Sequence, residues 1–110
     1  MTPQRARRVF GVETEYGLVG RRAGDRGTRL SGGEAAQWLF TPIEREHASS
    51  NVFLRNGGRL YLDVGSHPEY ATAECATVDD LLVHERAGDE LVARLARRAE
   101  ADAAEQGEPA

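Results

Sequence analysis

The turn sequence Asn56-Gly57-Gly58 constrains the fold more than any other segment, because it is typical of a β-hairpin. Residues 50–54 before it and 59–64 after it are rich in strand-forming side chains. Alternation along the returning strand places Arg59, Tyr61 and Asp63 on one face and Leu60, Leu62 and Val64 on the other. The sequence therefore predicts an antiparallel hairpin with one polar face and one apolar face.

A second predicted strand covers residues 8–19 and alternates in the same way. One of its faces holds Val9, Gly11, Glu13, Glu15 and Gly17, and the other holds Phe10, Val12, Thr14, Tyr16 and Leu18. The second set is the more apolar, so we expect it to pack on a core. The first set then presents two carboxylates on the opposite side of the strand.

Two helices are predicted from their capping residues. Ser31 and Glu34 form a capping box, and the helix that follows is expected to end near Pro42. Thr77 caps a longer helix, with an apolar stripe made of Val78, Leu81, Leu82, Gly88, Leu91, Val92, Leu95 and Ala99 and interrupted at Glu85. We expect strands and a short helix over 1–76, a long helix over 77–106 and a disordered tail over 107–110, which is an α+β organisation.

Charge and composition exclude several classes of protein. A net charge of −4 over 110 residues argues against a general nucleic-acid-binding protein, whose surface is normally basic. Cys75 is the only cysteine, so there is no internal disulfide, and the apolar runs are too short for a membrane span or a signal peptide. These features predict a soluble, cytoplasmic protein.

The polar faces of the two strands suggest a charged site if both strands belong to one sheet. Four carboxylates (those of Glu13, Glu15, Asp63 and Glu69) would then lie near Arg59. Carboxylates this close repel one another, and Mg²⁺ relieves the repulsion because it takes oxygen ligands between carboxylates and phosphates. The alternatives remain open from spacing alone, since an ordinary solvated sheet face or a surface ion-pair network has the same pattern.

The run from Ser49 to Cys75 (SSNVFLRNGGRLYLDVGSHPEYATAEC), with Gly11–Gly17 (GVETEYG), resembles the N-terminal part of bacterial Pup ligases. The likeness extends more loosely through residues 31–40 and 84–88, and so covers most of the chain. The resemblance implies a glutamine-synthetase-like antiparallel sheet with helices packed on one face. It also implies that residues 1–110 are an incomplete N-terminal part of a catalytic domain, because such ligases are several times longer.

Pup ligases use ATP to phosphorylate the C-terminal glutamate of Pup, a small protein tag, and then join it to a lysine of a target protein marked for the proteasome. By resemblance, Glu13, Tyr61 and Glu69 are expected to bind Mg²⁺, with Glu15 as an additional site residue. Arg59 and Thr72 are expected to contact ATP, and Asp63 to accept the proton of the incoming lysine.

Three other identities stay open. A Pup deamidase or depupylase has the same fold, but it typically carries a long insertion between the first strand and the hairpin, where this chain is short. A glutamate–cysteine ligase shares E-x-E strands but lacks the SSNVFLRNG run. A non-catalytic fragment is the third alternative, and we expect the chain to be inactive alone.

Overall fold

The protein is described here by a computed structural model that covers residues 8–22, 28–47, 49–62 and 67–106. The elements in chain order are β1 (Glu13–Glu15), α1 (Gly32–His47), β2 (Asn51–Phe53), β3 (Arg59–Leu62), β4 (Pro68–Ala71) and α2 (Val78–Glu105). The four strands form one antiparallel sheet in the order β1-β4-β3-β2. The α+β prediction is thereby confirmed, and the two predicted strand regions do share a sheet.

The hairpin between β2 and β3 forms at the predicted turn. Gly57 has φ of 85°, a left-handed conformation that glycine adopts without a steric penalty. The side-chain oxygen of Asn56 accepts a hydrogen bond of 2.7 Å from the backbone N of Gly58, which closes the turn. The resulting register pairs Val52 with Leu60, and it fixes which side chains share a face.

The strand predicted over residues 8–19 is much shorter than expected, since β1 contains only three residues. Backbone pairing of this segment with residues 68–75 nevertheless continues on both sides of β1. Phe10 and Cys75 exchange two backbone hydrogen bonds of 2.9 and 2.8 Å, and the backbone N of Tyr16 donates to the carbonyl of Pro68. The segment is extended along most of its length, but the regular ladder is confined to its middle.

Helix α1 begins as predicted and ends later than predicted. The backbone N of Glu34 donates to Ser31 Oγ at 3.1 Å and the Glu34 carboxylate accepts from the backbone N of Ser31 at 3.2 Å, so the capping box is present. The expected stop near Pro42 is wrong, because the helix continues to His47. Ile43 packs against the core directly after the proline, and this contact stabilises the turn that lacks one backbone hydrogen bond.

Helix α2 is capped by Thr77, whose hydroxyl accepts a hydrogen bond of 3.1 Å from the backbone N of Asp80. Its predicted apolar stripe is only partly correct. Gly88 and Val92 are buried, whereas Val78 and Leu82 near the start of the helix are 62% and 50% exposed. The N-terminal turns of α2 therefore project beyond the part of the sheet that the described residues build.

The core lies between one face of the sheet and the two helices. Its buried members are Leu39 and Phe40 of α1, Leu60 and Tyr70 of the sheet, and Val92 of α2. Tyr70 connects three elements, because its ring lies against Gly88 of α2 and its hydroxyl accepts a hydrogen bond of 2.9 Å from Asn56. The helices cover this face of the sheet and leave the other for the site.

Neither helix within the described ranges is both long and apolar enough to cross a membrane. The predicted tail at 107–110 and the predicted site residue Asp63 lie outside the residues that the structure describes.

Candidate active site

The face of the sheet opposite the core carries the predicted site residues in two cross-strand rows. Directly paired residues in antiparallel strands project to the same side, so the register defines each row. We call this surface the polar face; its rows are Glu15–Glu69–Tyr61–Asn51 and Glu13–Ala71–Arg59–Phe53. Glu13, Glu15, Arg59, Tyr61 and Glu69 are thus brought together on one surface, as the sequence predicted.

Arg59 is held in place by two neighbours on this face. Its Nε donates a hydrogen bond of 2.7 Å to Oδ1 of Asn51, and its guanidinium carbon lies 4.1 Å from the centroid of the Tyr61 ring. A stacked guanidinium loses less freedom when it binds an anion, because its plane is already oriented. The Nε contact leaves the terminal nitrogens of Arg59 outside this hydrogen bond, and these are the donors that phosphate recognition uses.

Tyr61 lies between two carboxylates, and its pKa is raised. Burial is the largest cause, followed by the negative charges of Glu13 and Glu69 and by a hydrogen bond with Glu13, while the nearby charge of Arg59 opposes them. The phenol is therefore neutral at physiological pH.

Glu15 is paired with His67, which directly precedes β4. Nδ1 of His67 lies 3.1 Å from a carboxylate oxygen of Glu15, and both side chains are about half exposed. The pair forms because Glu15 is opposite Glu69 in register, which brings the start of β4 alongside the end of β1. No local pattern links residues so distant in sequence, so this contact could not be found before the strand pairing was known.

The oxygen donors on the polar face are of the chemical kind that a hard cation takes together with phosphate oxygens. Within the described ranges no three His, Cys, Asp or Glu side chains lie close enough together to hold a metal ion. The set is instead two carboxylates, those of Glu13 and Glu69, with the Tyr61 hydroxyl. Mg²⁺ typically uses few protein ligands and completes its shell with water and substrate phosphates, so this small set suits it better than a structural metal.

Thr72 is placed differently from the other predicted residues, since it follows the last residue of β4. Its Oγ1 accepts a hydrogen bond of 3.0 Å from the backbone N of Val12, while its own backbone N donates to the Val12 carbonyl at 2.9 Å. The hydroxyl proton takes part in neither of these two bonds. Thr72 adjoins Ala71, which separates Glu13 from Arg59 in their row.

The two members of the rows that lie on β2, Asn51 and Phe53, were not singled out from the sequence. The hairpin turn would have located both, because its register places Asn51 opposite Tyr61 and Phe53 opposite Arg59. A groove of about 370 Å³ lies elsewhere in the molecule, between Leu18, Trp38 of α1 and Ala96 of α2, and none of its lining residues belongs to the polar face.

Comparison with known proteins identifies relatives of this chain. The sequence model of the Pup-ligase protein family matches residues 8–108. The Pup–protein ligase of Acidimicrobium ferrooxidans is 51% identical over 105 residues, which are 96% of this chain and 23% of the relative. That of Corynebacterium diphtheriae is 54% identical over 102 residues, which are 92% of this chain and 21% of the relative.

Two solved structures are similar to this fold. The complex between the prokaryotic ubiquitin-like protein Pup and its ligase PafA superimposes with a TM-score of 0.83 at 48% identity, covering 92% of this chain and 20% of the other. The Pup ligase PafA in complex with ADP gives a TM-score of 0.53 at 47% identity, covering 94% and 21%. The chain thus spans about a fifth of the length of the proteins it matches.

Proposed function

The chain belongs to the Pup-ligase family, and from this premise we propose that it forms part of the ATP site of a Pup–protein ligase. The observation that carries the proposal is the convergence of Glu13, Tyr61, Glu69 and Arg59 on one face of the sheet, in a fold shared with a ligase solved with ADP. Because the chain is about a fifth of the length of such ligases, the complete reaction is proposed for the longer protein.

The proposed reaction has two steps. The γ-phosphoryl group of ATP passes to the side-chain carboxylate of the C-terminal glutamate of Pup, which gives an acyl phosphate and ADP. The ε-amine of a target lysine then attacks the acyl carbon, and inorganic phosphate leaves as the isopeptide bond forms. In this proposal the conjugate marks the target for the proteasome, and the reaction takes place in the cytoplasm.

The polar face supplies the charges that the first step needs. Glu13, Glu69 and the Tyr61 hydroxyl would hold Mg²⁺, which when bound offsets the negative charge of the phosphates. Arg59, already oriented by Asn51 and Tyr61, would donate to phosphate oxygens. Thr72 would donate its hydroxyl proton to the nucleotide. Positioning and electrostatic stabilisation account for most of the catalysis in phosphoryl transfer, and these residues would contribute to both.

The second step needs a base. A lysine amine has an unperturbed pKa of roughly 10.4 and is protonated at neutral pH, so it must lose a proton to become a nucleophile. Asp63 is the proposed acceptor. In the sequence Asp63 comes two residues after Tyr61, and the alternation predicted from the sequence assigns it to the same face as Arg59 and Tyr61.

A chimera tests this proposal. This chain would replace the matching segment of the Corynebacterium diphtheriae ligase, to which it is 54% identical, so that the remaining part of the ligase completes the site. The unmodified chimera is expected to join Pup to a lysine-bearing target when ATP and Mg²⁺ are present. Without ATP, it is expected not to cleave a Pup conjugate, whereas cleavage would favour the hydrolytic alternative.

Asp63→Asn in the chimera is expected to abolish conjugation while leaving ATP binding intact, because the amide keeps the shape of the side chain but cannot accept the proton. Glu105→Gln, at the end of α2 and away from the polar face, is the matched control and should conjugate normally. Conjugation by Asp63→Asn at the rate of the control would remove Asp63 from its proposed role.

A further inference from the structure

Phe53 is an exposed aromatic residue on the polar face. It lies on β2, directly opposite Arg59 in register, and 77% of it is accessible to solvent. Single exposed apolar side chains are common and carry no meaning by themselves. Its position matters here, because Phe53 ends the row that begins with Glu13 and contains Arg59.

The order of side chains along that row matches the chemistry of a nucleoside triphosphate. Glu13, a carboxylate proposed to bind the cation, is followed by the small Ala71, the cationic Arg59 and the aromatic Phe53. Three strand spacings of about 4.8 Å separate the first position from the last by roughly 14 Å. This is comparable with the distance from the terminal phosphate to the base in an extended nucleotide, and Ala71 leaves space above the sheet between the two charged positions.

We propose that Phe53 stacks against the base of the nucleotide whose phosphates Arg59 and Glu13 receive, so that the row Glu13–Ala71–Arg59–Phe53 holds a nucleoside triphosphate along its length. This inference rests on the proposed function, since it extends the same site. Stacking on an aromatic ring tolerates any base, because every base has a π-face. Phe53 therefore selects for the presence of a base and leaves the choice between adenine and guanine to other residues.

The contacts of Arg59 support this division between a phosphate position and a base position. The guanidinium of Arg59 donates a hydrogen bond from Nε to Asn51 and lies against the ring of Tyr61. Asn51 and Tyr61 both belong to the neighbouring row. Neither contact uses the ring of Phe53, which is exposed on the strand next to Arg59. A base that covers it would remove apolar surface from water at the place where the phosphate chain ends.

The test compares a nucleotide with a ligand that lacks a base. In the chimera described above, Phe53→Ala is expected to weaken ATP binding about tenfold, because stacking contributes on the order of one to three kcal/mol per base and about 1.4 kcal/mol corresponds to tenfold. Inorganic tripolyphosphate, measured as a competitor of ATP, is expected to bind equally well before and after the substitution. Phe53→Trp keeps a stacking surface and should keep ATP affinity.

Two controls separate this role from a structural one. Arg59→Ala is expected to weaken ATP and tripolyphosphate together, because it removes a phosphate contact. Val83→Ala removes another exposed apolar side chain, one on α2 that is 67% exposed, and should change neither affinity.

Each outcome has a defined meaning. If Phe53→Ala weakens both ligands equally, or neither of them, the stacking role is wrong while the proposed function stands, provided that the unmodified chimera still conjugates Pup. If the unmodified chimera neither binds ATP nor conjugates Pup, the proposed function fails and this inference fails with it. A selective loss of ATP affinity, restored by Phe53→Trp, supports the inference.

Discussion

Replacing Gly88 by alanine is expected to destabilise this fold, although the same exchange stabilises most helices. Gly88 is in the middle of α2, where it is buried against the ring of Tyr70. A Cβ added to Gly88 would lie 2.2 Å from Cδ1 of Tyr70 and 2.6 and 2.7 Å from two further ring atoms. The absence of a side chain at this position is what allows the helix to approach the sheet.

The expected loss follows from two opposing terms. Alanine is favoured over glycine in a helix interior by about 1 kcal/mol. Overpacking a well-packed core costs typically 1–3 kcal/mol, and a contact of 2.2 Å belongs at the upper end of that range. The Tyr70 ring cannot turn away freely, because it is only 1% exposed and its hydroxyl is hydrogen-bonded to Asn56. We therefore expect a net loss of about 2 kcal/mol in the free energy of unfolding.

Urea unfolding followed by far-UV circular dichroism measures this loss. A denaturant dependence of about 1–3 kcal/mol per M is typical of small proteins, so the midpoint should fall by roughly 1 M. Gly33→Ala is the matched control, because its added Cβ would meet only Ser31 Oγ at 4.0 Å. Its midpoint is expected to stay the same or to rise.

A double-mutant cycle identifies the cause of the loss. In a Tyr70→Leu background the aromatic ring is absent, so adding Gly88→Ala should cost much less than it does in the original protein. If Gly88→Ala raised the midpoint as Gly33→Ala does, the close packing of α2 on Tyr70 would be refuted.

Three further predictions concern the capping box, one tyrosine and the isolated chain. Ser31→Ala should lower the free energy of unfolding by about 1 kcal/mol in the same assay, because it removes the cap of α1, and an unchanged midpoint would count against the capping box. The pKa of Tyr16 is raised by burial and by the 2.5 Å hydrogen bond that its hydroxyl donates to Asp89. As pH rises, Tyr16 therefore ionises in the unfolded chain before it ionises in the folded one, so the free energy of unfolding should fall above about pH 10. The fall with pH should be less steep in Tyr16→Phe. An equally steep fall in both proteins would exclude Tyr16 as its cause. The isolated chain, given ATP, Mg²⁺, Pup and a target, should form no conjugate on a denaturing gel, and a conjugate band would show that the segment is active alone.

Local signals in the sequence predicted the parts of the fold that depend on neighbouring residues. The turn at Asn56-Gly57 and the caps at Ser31 and Thr77 each involve atoms a few residues apart, and each forms as expected. Strand alternation likewise placed Glu13 and Tyr61 on polar faces that proved to be the same face.

Features that depend on distant contacts were beyond local reasoning. Helix α1 continues past Pro42, where Ile43 packs against the core. The start of α2 is exposed although its residues belong to the apolar stripe, because a stripe does not show how much of the helix the sheet covers. Chemical roles are a third case. Spacing alone is equally compatible with a solvated acidic face, so the roles of Glu13 and Arg59 rest on family membership together with the register.

The strand order also has a consequence for how the chain folds. Strands β2, β3 and β4 follow one another, and the hairpin loop between β2 and β3 contains five residues, 54–58. Joining β1 to β4 instead closes a loop of 52 residues, 16–67, which is about ten times longer and costs roughly 2 kcal/mol more in chain entropy. The three-stranded meander can therefore nucleate first, and β1 docks on a template that is already formed. Since β1 carries Glu13 and Glu15, the acidic side of the polar face cannot form until β4, which ends at Ala71, is available to pair with β1.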